Sequence, residues 1–198
     1  MMYDLSYILQ MQNQEKIRKE GCSMSGNRIE DRRKWFFESP IGMIGIRAEG
    51  KMVTDVKFID DPCEKREEEP APYAVQQTKR WLKEYFTGSI PDFMPDIMIR
   101  GTPFQMEVYE ILKTVPYGST VTYGEIAAEI AERRKIRRMS AQAVGGALNR
   151  NPVWLIVPCH RVIGSDGSLV GYEGGLERKK YLLELERNHG GKGRTENG

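Results

Sequence analysis

A cysteine and a histidine stand side by side in the segment PCHRV, residues 158–162. A lone cysteine after an apolar run is usually a small buried side chain. Pro158, however, cannot donate a backbone hydrogen bond, so we expect a preceding strand to end there and expose Cys159. The neighbouring His160 and Arg161 are groups that favour a thiolate. The pattern therefore predicts a nucleophilic cysteine assisted by His160.

A general base in such a site needs a third group to orient it. Adjacent residues of a strand point to opposite faces, so contact between Cys159 and His160 requires a turn or a bridging water. The segment LERKKYLLELERNHG, residues 176–190, is predicted to be helical and offers two carboxylates, Glu184 and Glu186. The spacing alone does not choose between them.

The elements around the cysteine suggest a DNA-binding motif. The apolar run VWLIV, residues 153–157, predicts a short buried strand directly before it. Thr122 begins a predicted helix with Glu125 three residues later, which is the spacing of a capping box. Ser140 begins a second helix with small residues along one face. Together with the turn-rich residues 164–172, these helices predict a winged helix-turn-helix, in which the second helix enters a DNA groove. Ordinary helix packing is the alternative.

The first half of the chain has a different pattern. Residues 34–60 alternate β-branched and aromatic residues with glycines, which predicts a hairpin or meander. Residues 73–88 place apolar side chains at helical spacing, and residues 97–99 predict one more strand. The predicted organisation is an N-terminal extension (1–30), an N-terminal α/β domain (31–100), a C-terminal DNA-binding domain (101–188) and a flexible tail (189–198).

Composition places the protein in a broad class. The cysteines Cys22, Cys63 and Cys159 are odd in number and widely spaced, which favours a reducing compartment over a disulfide framework. No apolar stretch approaches the roughly 20 residues of a membrane span, and no secretory signal is visible. We therefore predict a cytoplasmic protein that does not enter the membrane.

Charge is concentrated in one short run. The net charge is only +2, so composition alone does not indicate a nucleic-acid-binding protein. Five of the six residues in RRKIRR (133–138) are nevertheless basic. Such a run is either a solvated helix end or loop, or a surface that contacts phosphates.

Five ordered segments resemble the O6-alkylguanine-DNA alkyltransferase family: GTPFQMEVYEIL, VPYGSTVTYGEIA, AVGGALNRNP, PCHRV and GYEGGLERKKYLLELE. The resemblance spans nearly all of residues 101–187, with a weaker match over residues 34–99. It implies an α/β N-terminal domain with a ribonuclease-H-like strand order and a mostly α C-terminal winged helix-turn-helix domain. It also implies direct-reversal DNA repair, in which the alkyl group of O6-alkylguanine or O4-alkylthymine moves irreversibly to Cys159, once per protein and without a cofactor.

The resemblance assigns roles to the residues that match the family's motifs. It implies that Cys159 is the nucleophile and that His160 activates it through a water. Glu186, rather than Glu184, matches the carboxylate that orients this histidine. Asn151 matches the asparagine that ties the recognition helix to the active-site turn. Tyr123 matches the tyrosine that assists the leaving guanine and contacts the phosphate backbone.

A pocket for a flipped-out base is also implied. Tyr172 matches its wall, and backbone groups of Cys159, Val162 and Glu173 are expected to recognise the edge of the base. The implied partner is double-stranded DNA that contains alkylated guanine, bound by a monomer. Further residues implied beside the pocket are Trp154 and Lys179, and the implied DNA contacts, besides Tyr123, are Gln105, Arg137, Arg138, Ala141, Gln142 and Ser165.

Two features of this sequence depart from the family. Gln142 occupies the position of an arginine that usually fills the space left by the extruded nucleotide, and the chain before it is lengthened around residues 133–138. Some relatives also hold a structural zinc in the N-terminal domain. Here that half of the chain has only Cys22 and Cys63 and no histidine, whereas a closed zinc site takes four such ligands, so we predict no metal.

Three other classes of protein fit the sequence less well. A lesion-binding protein without transfer activity would lack the nucleophile that Cys159 supplies. A winged-helix regulator would account for the DNA-binding half of the chain but would not need the Cys-His pair of the PCHRV segment. A cysteine hydrolase would need an oxyanion hole, for which no motif is present.

Overall fold

The computed structural model describes residues 35–59 and 70–190. The predicted N-terminal extension, both remaining cysteines and residues 191–198 lie outside this range. None of the described helices combines the length and the apolar character that a membrane span requires.

The first half of the chain forms an antiparallel meander, as its sequence pattern predicts. Strands β1 (Trp35–Ser39), β2 (Gly42–Glu49) and β3 (Met52–Ile59) pair in the order β1-β2-β3. Helix α1 (Tyr73–Phe86) packs on this sheet through an apolar face that includes Tyr85. The helix ends where Gly88 takes a φ of +81°, a conformation that favours glycine.

The segment before the cysteine lies along the edge of β3. The Val56 N–H donates to the carbonyl of Pro152, and the Trp154 N–H donates to the carbonyl of Val56, each across 2.8 Å. The predicted strand over 153–157 is wrong, because Leu155 takes a φ of +70° and Trp154 bridges to Val157 in a tight turn. The segment is nevertheless buried throughout, so the apolar run indicates burial rather than an extended conformation.

Residues 97–99 do not form the strand that their sequence predicts. Only Ile97 pairs with the sheet, through a single parallel bridge to Val53. The Met98 N–H donates to the carbonyl of Val53 across 2.8 Å, so the contact is one bridge rather than a strand.

Four helices make up most of the second half: α2 (Pro103–Thr114), α3 (Tyr123–Arg133), α4 (Ala141–Leu148) and α5 (Leu176–Gly190). The predicted caps are confirmed. Thr122 and Glu125 form a reciprocal capping box at the start of α3, and the Ser140 hydroxyl accepts the Ala143 N–H at the start of α4. Helix α5 runs through Gly190, so the first residues of the predicted tail are helical.

Two short strands join the helices to the cysteine segment. β4 (Val121–Thr122) pairs in parallel with β5 (Val162–Ile163), which ties the start of α3 to the end of PCHRV. Helix α4 packs against α2 and α3, and their buried faces join one core with the sheet. The fold is therefore mixed α/β, a small sheet with helices around it.

Candidate active site

Cys159 lies on a short 3-10 turn, Cys159–Arg161, that leads directly into β5. The cysteine is only 6% exposed, so the expectation that Pro158 would expose it is wrong. Pro158 does end the preceding segment, but that segment is a buried turn, and the 3-10 turn that follows keeps the thiol inside the protein. This turn replaces the strand geometry that would have separated Cys159 from His160.

Asn151 connects the end of α4 to the thiol. Its Nδ2 donates to the carbonyl of Val157 across 2.8 Å and to the Sγ of Cys159 across 3.3 Å. Its Oδ1 accepts the N–H of Val153 across 3.1 Å. Because Asn151 is completely buried, these bonds fix both the irregular segment and the sulfur.

His160 is held by Glu186 and not by Glu184. The Nε2 of His160 lies 2.8 Å from the Oε1 of Glu186, and both side chains are completely buried, whereas Glu184 is exposed. Because an ionised carboxylate only accepts, Nε2 carries the proton and Nδ1 keeps its lone pair. Among the described residues, Nδ1 has no hydrogen-bond partner, so it is the free acceptor of the ring.

The charge of Glu186 is neutralised by Arg161. The Nε of Arg161 donates to Oε2 across 2.9 Å and its Nη2 donates to Oε1 across 3.0 Å, while the Gly118 N–H donates to Oε2 across 3.0 Å. Burial alone would raise the pKa of Glu186, but His160 and Arg161 outweigh it and hold that pKa well below its usual range. The expectation that Arg161 favours the thiolate is therefore wrong, since its guanidinium faces Glu186.

The resting thiol is protonated. Burial raises the pKa of Cys159 to about 11, against the opposing effects of the Asn151 hydrogen bond and the Lys179 charge. Burial lowers the pKa of His160, with a smaller opposing effect from Glu186, so His160 is neutral at neutral pH. A neutral imidazole beside a protonated thiol is the arrangement that a general base requires.

Lys179 links the residue after the 3-10 turn, Val162, to the loop that contains Val170. Its Nζ donates to the carbonyls of Val162 and Val170, each across 2.6 Å, and its side chain is completely buried. Burial lowers the pKa of Lys179 to about 8. Within residues 35–59 and 70–190, Lys179 is the cation whose charge lowers the pKa of Cys159.

Two aromatic rings form a wall beside the cysteine. The ring centroids of Trp154 and Tyr172 are 5.6 Å apart, and the Tyr172 hydroxyl has no hydrogen-bond partner within the described ranges. A Cβ on Gly174 would lie 2.6 Å from the Tyr172 ring, so the loop can pack this closely only with glycine there. Lys57 from β3 covers the Trp154 ring at 5.2 Å and pairs with Glu173 across 3.2 Å.

Tyr123 reaches the same loop from the start of α3. Its hydroxyl lies 3.2 Å from the carbonyl oxygens of both Val170 and Gly171. Gly171 has a φ of +58°, and a Cβ there would lie 2.8 Å from the Tyr123 hydroxyl. Burial raises the pKa of Tyr123, so the hydroxyl keeps its proton at neutral pH.

The structure brings four of the sequence-predicted DNA contacts to one groove between α3 and α4. Arg137 and Arg138 line it together with the exposed start of α4. Small side chains of α3 form much of the opposite wall. The lining residues from the predicted set are Arg137, Arg138, Ala141 and Gln142.

The basic run divides into paired and unpaired arginines. Arg133 is hydrogen-bonded to Glu129, and the Nε of Arg134 lies 2.9 Å from the Oε2 of Glu107. Within residues 35–59 and 70–190, Arg137 and Arg138 form no ion pair. Two of the arginines in this run therefore remain open to an external anion.

Gln105 and Ser165 lie elsewhere. The Oε1 of Gln105 accepts the Thr102 N–H across 2.8 Å, which completes the capping box of α2. Ser165 is exposed in the loop that the Gly164 N–H closes by donating to the carbonyl of Ser168 across 2.9 Å. Neither residue lines the groove.

Sequence reasoning missed a contact between the two halves of the chain. The Tyr85 hydroxyl of α1 donates to Glu186 Oε1 across 2.8 Å, although 101 positions separate the two residues. Helical spacing indicates only that Tyr85 is buried. No local pattern could have paired it with Glu186.

Comparison with known proteins identifies relatives. Residues 103–188 match the family model described as the DNA-binding domain of 6-O-methylguanine DNA methyltransferase. The methylated-DNA–protein-cysteine methyltransferase of Mycobacterium bovis is 40% identical over 153 residues, covering 76% of this chain and 90% of that protein. The protein of the same name from Methanosarcina barkeri is 43% identical over 157 residues, covering 77% and 95%.

A solved structure gives the same result. The crystal structure of Mycobacterium tuberculosis OGT in complex with DNA superimposes with a TM-score of 0.66 at 38% sequence identity. The match covers 78% of this chain and 92% of that one. Because relatives about 40% identical match at least 90% of their own length and a solved structure shares the fold, this chain belongs to the methylated-DNA–protein-cysteine methyltransferase family.

Proposed function

We propose that this protein repairs alkylated DNA by direct reversal, transferring the alkyl group of O6-alkylguanine, and of O4-alkylthymine, to Cys159. Family membership supports the reaction. The observation that carries the assignment to this residue is a buried arrangement of three side chains. The sulfur of Cys159 accepts a hydrogen bond from Asn151, and His160, which Glu186 fixes, keeps an acceptor nitrogen that no described residue occupies.

The proton of the thiol passes to His160. Since Nδ1 has no hydrogen-bond partner among the described residues, a water between Nδ1 and the Sγ of Cys159 would satisfy this buried atom and carry the proton. Glu186 stabilises the imidazolium that results. Asn151 and Lys179 stabilise the thiolate, one through a hydrogen bond and the other through its charge.

The thiolate then attacks the alkyl carbon in one displacement. A bond forms between sulfur and that carbon, the bond from the carbon to the guanine O6 breaks, and its electron pair stays with the guanine. Tyr123 donates its hydroxyl proton to the leaving base; burial raises the pKa of Tyr123, so the hydroxyl is protonated when the reaction begins. The thioether product is stable, so each protein reacts once and needs no cofactor.

The base reaches the thiol by leaving the DNA helix. A flipped base is usually held by stacking and by hydrogen bonds to its edge. Trp154 and Tyr172 supply an aromatic wall, and the backbone groups of Cys159, Val162 and Glu173 supply edge contacts. Lys179 holds both sides of this pocket through the carbonyls of Val162 and Val170.

The groove between α3 and α4 is the proposed DNA-binding surface. In this arrangement α3, the turn and α4 act as a helix-turn-helix, α4 is the recognition helix, and residues 164–172 form the wing. Arg137 and Arg138 contact phosphates beside it, with Gln142 at the extruded nucleotide. The meander that packs against α1 would be the ribonuclease-H-like part of the N-terminal domain. All catalytic groups come from one chain, which suits a monomer.

Stoichiometry tests this function. Protein is mixed with an excess of duplex that carries O6-methylguanine with a labelled methyl group, and protein-bound label is followed over time. We expect the label to reach a plateau at one methyl group per chain. Continued turnover, or lesion binding without any transfer of label, would exclude the proposed reaction.

A further inference from the structure

Tyr85 is a buried residue of α1 that contacts the catalytic carboxylate. Its hydroxyl donates to Glu186 Oε1 across 2.8 Å and lies 3.3 Å from the Nε2 of His160. The ring is fixed by stacking on Trp81 at 5.3 Å and by an edge contact with Phe86 at 5.4 Å. The position of the hydroxyl is therefore set by the N-terminal half of the chain.

Three donors share one oxygen of Glu186. Oε1 accepts from Tyr85, from the Nε2 of His160 and from the Nη2 of Arg161. A hydroxyl that donates to a carboxylate stabilises its negative charge without adding a net charge. Because the O–H bond points to Oε1, the hydroxyl oxygen faces Nε2 at 3.3 Å as an acceptor, which favours the tautomer with its proton on Nε2. Burial, followed by the charge of Glu186, raises the pKa of Tyr85 well above its usual range, so it stays a donor.

We propose that Tyr85 is a positioning residue for alkyl transfer: by sharing Glu186 Oε1, its hydroxyl keeps His160 neutral and protonated at Nε2, the form that accepts the thiol proton at Nδ1. This inference rests on the proposed function of Cys159. It makes the N-terminal half of the chain a determinant of the reaction rate. Among the described residues, the ionisable groups that act on His160 are Glu186 and Lys179 from α5, Arg161 from the turn and Tyr85 from α1, and Cys159 is its neighbour in the chain.

The test compares Tyr85→Phe with Thr78→Val. Both changes remove one buried hydroxyl from α1, but the Thr78 hydroxyl donates to the carbonyl of Ala74 in the same helix, across 2.8 Å. With saturating DNA at pH 7, we expect Tyr85→Phe to transfer methyl roughly three- to tenfold more slowly, because more His160 is already protonated. The deficit should shrink as the pH rises to 8, whereas Thr78→Val should match the wild type throughout. DNA affinity should be unchanged in both variants.

Nitrogen NMR of labelled histidine reports the protonation of His160 directly. If Tyr85 had a purely structural role, these signals would be unchanged in Tyr85→Phe. The protein has only two histidines, so their signals can be told apart. The Nδ1 of His189 lies 2.8 Å from the carbonyl of Leu185, so His189 carries its proton on Nδ1, whereas His160 carries its proton on Nε2. We expect His160 in the wild type to show the Nε2–H form and to titrate at a higher pH in Tyr85→Phe. The nitrogen signals of His189, which lies outside this network, should be the same in both proteins.

Two results would overturn the inference. The first is a Tyr85→Phe variant whose transfer rate and His160 titration are both unchanged. The second is a wild-type protein in which His160 carries its proton on Nδ1, a result that can be obtained even if the variant does not fold. Wild-type transfer to Cys159 alongside either result would reject only the role of Tyr85. Absence of wild-type transfer would reject the proposed function, while the histidine titration would still report the contact with Tyr85.

Discussion

Asn151 donates a hydrogen bond to the sulfur of Cys159 across 3.3 Å from a completely buried position. A neutral donor this close stabilises a thiolate without requiring a second charge in the core. It does not make the cysteine acidic, because burial still raises the pKa of Cys159 to about 11. The site is therefore built to form a thiolate during the reaction and not to store one.

The pH dependence of transfer should have two limbs. Burial lowers the pKa of His160, so the rate should fall only when the pH drops below the usual histidine range and the base becomes protonated. The pKa of Lys179 is lowered to about 8, so above that pH its charge is lost and the rate should fall again. The measurement is the single-turnover rate against pH with saturating DNA.

Lys179→Met separates the two limbs. We expect a lower plateau without the decline above pH 8, since the titrating charge is gone. Lys180→Met, a change at the next and exposed residue of α5, is the matched control and should keep the wild-type profile. If the transfer rate of Lys179→Met still falls above pH 8, a group other than Lys179 causes that fall.

The open arginines of the basic run should set the salt dependence of DNA binding. Each phosphate neutralised by a cation contributes roughly −0.9 to the slope of log K against log salt on duplex DNA. Replacing both Arg137 and Arg138 with Ala should make this slope shallower by up to about twice that value. The matched change at Arg133 and Arg134, which already pair with Glu129 and Glu107, should alter it less. A slope unchanged from the wild type after the changes at Arg137 and Arg138 would make the run a solvated loop.

Gln142→Arg should increase the transfer rate most for a lesion in paired DNA. Arginine is longer and always charged, so it can fill the gap left by an extruded base better than glutamine. Extrusion costs a few kcal/mol in unstacking and unpairing, and less in single strands. We predict a larger rate increase for a paired lesion than for the same lesion in single-stranded DNA. An equal gain on both substrates would show that Gln142 does not limit extrusion.

The purified protein should contain no structural zinc. Within the described residues no three His, Cys, Asp or Glu side chains are grouped to hold a metal, while Cys22 and Cys63 lie outside that range. Two cysteines without a histidine cannot complete a closed four-ligand site. Elemental analysis after washing with a chelator should find no zinc, and one zinc per chain would contradict the prediction.

Local patterns predicted most elements, because caps and helical spacing are properties of adjacent residues. Thr122 with Glu125 marks the start of α3, and Ser140 marks the start of α4. The turn at Leu155 was missed, since an apolar run indicates burial but not conformation. The choice of Glu186 came from the family resemblance, and the contacts of Tyr85 and Lys57 depend on how distant segments pack.

Transfer to Cys159 is tested most directly by the intact mass of the protein after reaction with duplex that contains O6-methylguanine, followed by peptide mapping. We expect one added methyl group, located on Cys159. Cys159→Ser should gain none while still binding DNA, because a serine hydroxyl is hardly ionised at neutral pH. A methyl group mapped to Cys22 or Cys63, or transfer by Cys159→Ser, would contradict the assignment.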